Sequence, residues 1–191
     1  MKNKKIAYLS LLSLFVAILL LMSFTPLGYF KTPALEITFL VVPVAVGGIF
    51  LGPLAGTVLG AVFGLTSFFQ AFGGPFGSAL LASSVIDTFI ICFVPRVLVG
   101  FITGFVASKL DKNKLSAFIL PSILAPICNT VLFVFALFAW FWNIPIMVDM
   151  RAAQNIFTFF IAFVGVNAAV EIVVCAFLGT AISKALSRIR L

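Results

Sequence analysis

Residues 6–24 read IAYLSLLSLFVAILLLMSF, an uncharged run held between Lys4-Lys5 and the turn-forming Thr25-Pro26-Leu27-Gly28. A bilayer hydrocarbon core takes about 20 apolar residues per helix, so this stretch has the length and character of a membrane span. A basic start followed by an apolar run also describes a secretory leader, but no small-x-small cleavage site precedes the turn, and the segment is read as a span. The composition agrees. Of 191 residues, 63% are apolar and 9% charged, with a mean hydropathy of +1.31; a soluble domain is about 45–50% apolar and a quarter charged. A soluble globular fold is excluded.

Working outward, apolar runs broken by Pro, Gly, charge or polar clusters give five more spans: Leu35–Leu51, Leu54–Phe72, Ile86–Leu110, Leu115–Trp142 and Phe157–Leu186. The expected fold is all-α, a single six-helix transmembrane bundle over residues 1–191. Gln70–Thr88, interrupted by Gly73, Gly74, Pro75 and Gly77, reads as a structured loop.

The net charge of +7 comes from 12 Lys/Arg against 5 Asp/Glu, and its distribution tells against nucleic acid as a partner. Lys2, Lys4 and Lys5, then Lys109, Lys112 and Lys114, then Lys184, Arg188 and Arg190 fall at the N-terminus, the fourth-to-fifth connection and the C-terminus. Six spans place all three on one side, and the positive-inside rule makes that side, with both termini, cytoplasmic. The chain has no histidine, which removes zinc hydrolase and Ser-His chemistry. Cys92, Cys128 and Cys175 lie inside spans without C-x-x-C spacing and read as small packing residues. Neither a disulfide framework, a metal site nor a cofactor motif is indicated.

Glycines recur every fourth residue at Gly48, Gly52, Gly56, Gly60 and Gly64, and Gly100 and Gly104 repeat the spacing in the fourth span. On a helix such a stripe lets another backbone approach closely, and tight internal packing is the favoured reading over a ligand or partner role. Ser13 and Ala17 form a further small-xxx-small pair in the first span.

Polar groups in lipid are costly unless paired or facing water, so each is a functional candidate. Arg96 follows Pro95 in the fourth span; Asn129 lies near the middle of the fifth; Asn167 and Glu171 stand one turn apart on the sixth; Gln70 ends the third. Glu36 and Asp87 fall near span boundaries. Two readings of Arg96 and Glu171 stand open: an ion pair tying the fourth helix to the sixth, or a guanidinium fork gripping the carboxylate or phosphate of a small ligand. Asn129 and Asn167 would then orient that ligand, or else bond helix to helix. Trp140 and Trp142 read as an interfacial aromatic belt, with a ligand wall as the other reading.

No internal repeat of spans marks a large secondary transporter, and no G-x-x-x-x-G-K-[ST] phosphate loop supplies an ATPase. A chain that moved solute against a gradient would need a motor from elsewhere.

These features resemble the substrate-binding membrane subunits, or S components, of energy-coupling factor (ECF) vitamin transporters. The resemblance rests on six spans in about 190 residues, the Ser13/Ala17 pair, the Leu51-Gly52-Pro53-Leu54-Ala55-Gly56 turn, Phe63-Gly64-Leu65-Thr66-Ser67, Val94-Pro95-Arg96-Val97-Leu98-Val99-Gly100 and Asn129-Thr130-Val131-Leu132. The last two look most like the pantothenate-type members. Ser13 departs from the alanine usual at the first docking position. The resemblance implies a non-catalytic subunit of the bacterial plasma membrane that binds a vitamin from outside. It would dock through its first three helices on a transmembrane coupling protein with two ATPases, and topple in the membrane during transport. The ligand would lie near the outer face at the loops Thr25–Pro33, Gln70–Thr88 and Asn143–Asn155, with Arg96 and Asn129 beneath them; with the polar and aromatic groups read above, the candidate contacts are Arg96, Asn129, Gln70, Asn167, Glu171 and Trp140. Pantothenate, with one carboxylate and two hydroxyls, is preferred to riboflavin, pyridoxine, folate or thiamine. Two other classes stay in view: a membrane enzyme using Glu36, Asp87, Asp149 or Glu171, and a non-transport assembly protein joined through its glycine faces.

Overall fold

The computed structural model describes residues 2–31, 36–152 and 165–188. Helix α1 (Lys2–Ser23) leads into a ribbon of β1 (Tyr29–Lys31) and β2 (Glu36–Thr38), antiparallel with Tyr29 opposite Thr38. Helices α2 (Val41–Leu51), α3 (Pro53–Ala71), α4 (Pro75–Ser83), α5 (Val85–Lys109), α6 (Ser116–Phe141) and α7 (Pro145–Ala152) follow. Helix α8 (Val166–Val174) continues through a π-helical turn, Cys175–Gly179, into α9 (Thr180–Leu186).

Among the described residues five helical segments are long and apolar enough to cross a bilayer: Lys4–Ser23, Pro53–Ala71, Val85–Lys109, Ser116–Phe141 and Asn167–Leu186. They match five of the six expected spans. The second, Leu35–Leu51, is helical only from Val41, because residues 36–38 are taken up by the ribbon, and Leu35 lies outside the described residues. In the sixth, Phe157–Leu186, residues 157–164 lie outside them too. The Gln70–Thr88 loop is structured as expected, around α4.

Helix α2 has eleven residues, about 16 Å at 1.5 Å per residue. It is buried from Val41 through Ile49, as a helix apolar on every side must be. Around it Phe15 and Leu19 of α1, Leu59 and Phe63 of α3, Val99 of α5, Ala125 of α6 and Cys175 form the main core. Gly52, at φ +96°, ends α2 and starts α3 with no intervening loop; its N–H donates to the Gly48 carbonyl at 3.0 Å. Only glycine takes that φ without strain, and Pro53 at the first position of α3 has its φ preset for the helix.

The glycine stripe does what its spacing suggests. A Cβ on Gly56 would strike the Gly100 carbonyl, one on Gly100 would strike the Gly56 carbonyl, and one on Gly60 would strike the Arg96 carbonyl. Helices α3 and α5 therefore meet backbone to backbone, and Gly48 of α2 closes on Gly104 in the same way. This contact fixes the height at which α5 presents Arg96.

Candidate functional site

Proline at position 95 creates the first element of the site. An N–H there would bond the carbonyl of Ile91 four residues back, and proline has none. The next residue fills the gap: Arg96 Nη1 donates to the Ile91 oxygen at 2.7 Å. The guanidinium is thereby folded back along α5, 7% exposed, with its carbon 4.6 Å from the centre of the Phe133 ring and 5.6 Å from that of Phe63. Two aromatic faces offset part of the cost of burying a cation, each by about 1–2 kcal/mol when water is excluded.

Asn129 lies one turn before Phe133 on α6, so its amide shares the face that meets Arg96. Glu171 reaches in from α8. Its carboxyl lies against the Asn129 side chain and within the field of Arg96, and its Oε1 accepts from the backbone N–H of Thr38 at 2.9 Å. That bond ties the ribbon of the first loop to the last membrane helix across 133 residues of chain. Asn129 and Glu171 are each 5% exposed. Among the described residues Asn129 Oδ1 and Glu171 Oε2 have no hydrogen-bond partner. The cluster thus combines a guanidinium with two open acceptor atoms.

The roof of this region comes from the other loops. Leu80 of α4 and Met147 of α7 pack in one apolar cluster with Ile91 and Cys92 of α5 and Leu137 and Phe141 of α6. Cys92 stands one turn from Arg96 on α5, with the Ser67 hydroxyl of α3 against its thiol. Ser84 caps α5 by accepting from the Asp87 N–H at 3.2 Å, and its carbonyl accepts from Thr88 Oγ1 at 2.7 Å.

Of the residues singled out in the sequence, Arg96, Asn129 and Glu171 come together. Asn167 is half-buried one turn before Glu171 on α8. Gln70 Nε2 donates to the Ser23 carbonyl and links the ends of α3 and α1. Trp140 is half exposed on α6, while Trp142 packs edge-on against Phe138. Ser13 and Ala17 are both exposed on α1. Of the third loop, Asn143–Asn155, residues 153–155 lie outside the described residues, as do the side chains of Lys31, Glu36 and Arg151. Phe133 and Thr38 are neighbours of this cluster that the sequence reading does not name; Phe63 and Ser67 enter it only within a resemblance stretch, and Cys92 only as a packing residue. Phe133 had a signal, since it stands at i+4 from Asn129; the aromatics were otherwise lost among 24 phenylalanines.

Several apolar spans define a multi-pass membrane protein, and its helices enclose a buried, charged and partly unsatisfied cluster. A family profile described as "ECF transporter, substrate-specific component" matches residues 7–183, and the chain belongs to that family. It is 31% identical over 207 aligned positions to the "Pantothenic acid transporter PanT" of Lactococcus lactis subsp. cremoris, covering 100% of this chain and 98% of the relative. It is 35% identical over 119 residues to the "Pantothenate transporter PanT" of Leuconostoc mesenteroides, a match that spans 60% of this chain and 57% of the relative's length.

Proposed function

We propose that this chain is the pantothenate-binding S component of an ECF transporter, with Arg96, Asn129 and Glu171 at the centre of its site. The observation that carries the reading is the match between this cluster and the ligand's functional groups. A guanidinium suits the one carboxylate of pantothenate, and open acceptors at Asn129 Oδ1 and Glu171 Oε2 suit its two hydroxyls and its amide N–H. The names of the two relatives point the same way.

In this reading α2 is the second of six membrane segments, and the basic residues at both termini and in the α5–α6 connection face the cytoplasm. The exposed Ser13 and Ala17 let α1 approach the transmembrane coupling protein, whose two ATPases supply the energy that this chain has no motif to harvest. The ribbon, α4 and α7 lie over the site on the outer side, and Asn167 lends a further amide from α8.

Equilibrium binding of labelled pantothenate to the purified chain tests the proposal. Saturable binding at submicromolar concentration, competed by pantothenate and not by riboflavin, pyridoxine, folate or thiamine, is expected. Binding of one of those vitamins instead, or of none, overturns it.

A further inference from the structure

A second polar cavity lies at the basic end of the bundle, among the end of α2, the α5–α6 turn, the start of α6 and the end of α9. Its volume is about 540 Å³, and it is lined by Lys112, Asn113, Ser183 and Ser187 over an apolar floor that includes Ile49 and Phe118. Ser183 is 1% exposed, and its Oγ has no hydrogen-bond partner among the described residues. A buried hydroxyl without a partner costs about 1–3 kcal/mol, so a polar occupant of this cavity has a reason to be held.

The sign of that occupant follows from the charges around it. The segments forming this end carry Lys109, Lys112, Lys114, Lys184 and Arg188 against Asp111, five positive charges and one negative. Asp111 is turned into its own loop, accepting from the N–H and Nδ2 of Asn113 at 3.0 Å each. The C-termini of α2, α5 and α9 contribute about half a negative charge apiece. The net +4 of full charges outweighs them, so an anion is favoured. Leu115 and Ile182, which neighbour the lining residues Phe118 and Ser183 in sequence, are both exposed.

We propose that this cavity binds the phosphate group of an anionic phospholipid headgroup, with the Ser183 hydroxyl and the second N–H of Asn113 Nδ2, the one not given to Asp111, donating to phosphate oxygens and Lys112 balancing the charge. The apolar floor then receives the glycerol, and Leu115 and Ile182 lie along the acyl chains. This site is separate from the Arg96 cluster and does not depend on which vitamin that cluster binds.

The test is native mass spectrometry of the full chain released from detergent micelles doped with dioleoyl phosphatidylglycerol or with dioleoyl phosphatidylcholine. One retained phosphatidylglycerol per chain is expected, in clear excess over phosphatidylcholine. Lys112→Gln should lower its retention about fivefold, the weight of one basic residue near an anionic headgroup. Ser183→Ala should lower it about tenfold or more, the weight of a hydrogen bond to a charged group. Lys112 is exposed in a turn and its variant has no reason to misfold; gel-filtration profiles check both variants without reference to vitamin binding. If inorganic phosphate alone displaces the lipid and binds with the same sensitivity to the two substitutions, the phosphate site stands and its lipid source is refuted. Equal retention of the two lipids, or retention unchanged in both variants, overturns the proposal.

Discussion

Gly60→Ala is the sharpest probe of how the fold positions the site. A methyl group at this position would overlap the carbonyl oxygen of Arg96, with the Arg96 carbonyl carbon next at 2.9 Å and the Val97 Cα at 3.1 Å. Every one of these is a backbone atom, so no side-chain rotation can relieve the clash. Restoring contacts to about 3.5 Å requires α3 and α5 to separate by on the order of 1 Å at the level of the guanidinium. Overpacking of this kind costs about 1–3 kcal/mol, while replacing glycine by alanine inside a helix returns about 1 kcal/mol. The net loss of stability is therefore small, about 1 kcal/mol. Affinity suffers more, because charge-assisted hydrogen bonds depend on geometry: a loss of about 1.4 kcal/mol is already a tenfold weaker Kd. Calorimetric titration with pantothenate, beside thermal unfolding of the same preparation, should show at least a tenfold rise in Kd with a modest fall in Tm. Gly74→Ala is the control, since a Cβ there meets nothing within 4 Å. Wild-type affinity and stability in Gly60→Ala would refute the close-approach argument, and an equal effect in Gly74→Ala would refute its locality.

Three further outcomes follow from the same geometry. Pro95→Ala restores an N–H that competes with Arg96 Nη1 for the Ile91 carbonyl, so helix α5 should be more stable while pantothenate binding weakens several-fold in the same titration; tighter binding would contradict this. Glu171→Gln keeps an acceptor for the Thr38 N–H and should remain folded, whereas Glu171→Ala leaves that buried donor unpaired and should lose about 1–3 kcal/mol in a denaturation experiment; equal stability of the two would remove the link between α8 and the ribbon. Ser13→Trp places a large ring on the exposed face of α1, and should leave binding to purified protein intact while blocking uptake in cells; normal uptake would count against docking through that face.

The sequence made the long elements legible because a lipid-facing helix must be apolar over nearly its whole length. The Gly56, Gly60 and Gly64 stripe announced a close helix contact, and Arg96, Asn129 and Glu171 stood out because so few polar groups sit in apolar runs. What remained hidden depends on partners distant in the chain. Residues 36–38 form a strand because the first loop folds back on itself, and the apolar signal running on into α2 masked that change. Nothing local foretells that the Thr38 N–H finds its acceptor on Glu171, or that the helix widens to a π turn at Cys175–Gly179 against Ser122. Nor does anything local show that Gln70 Nε2 donates to a backbone carbonyl at the end of α1.

The central claim is that Arg96 recognises the carboxylate of the vitamin, and a two-by-two binding experiment tests it most directly. Pantothenate and its neutral alcohol analogue, in which the carboxylate becomes a hydroxymethyl group, are each titrated into the wild-type chain and into Arg96→Ala. A bidentate charge-assisted contact of about 3 kcal/mol predicts a preference for the acid of about a hundredfold or more in the wild type. In Arg96→Ala that preference should fall to within a few-fold, while the alcohol binds both proteins with comparable affinity. A variant that still selects the acid by the wild-type factor would contradict the account.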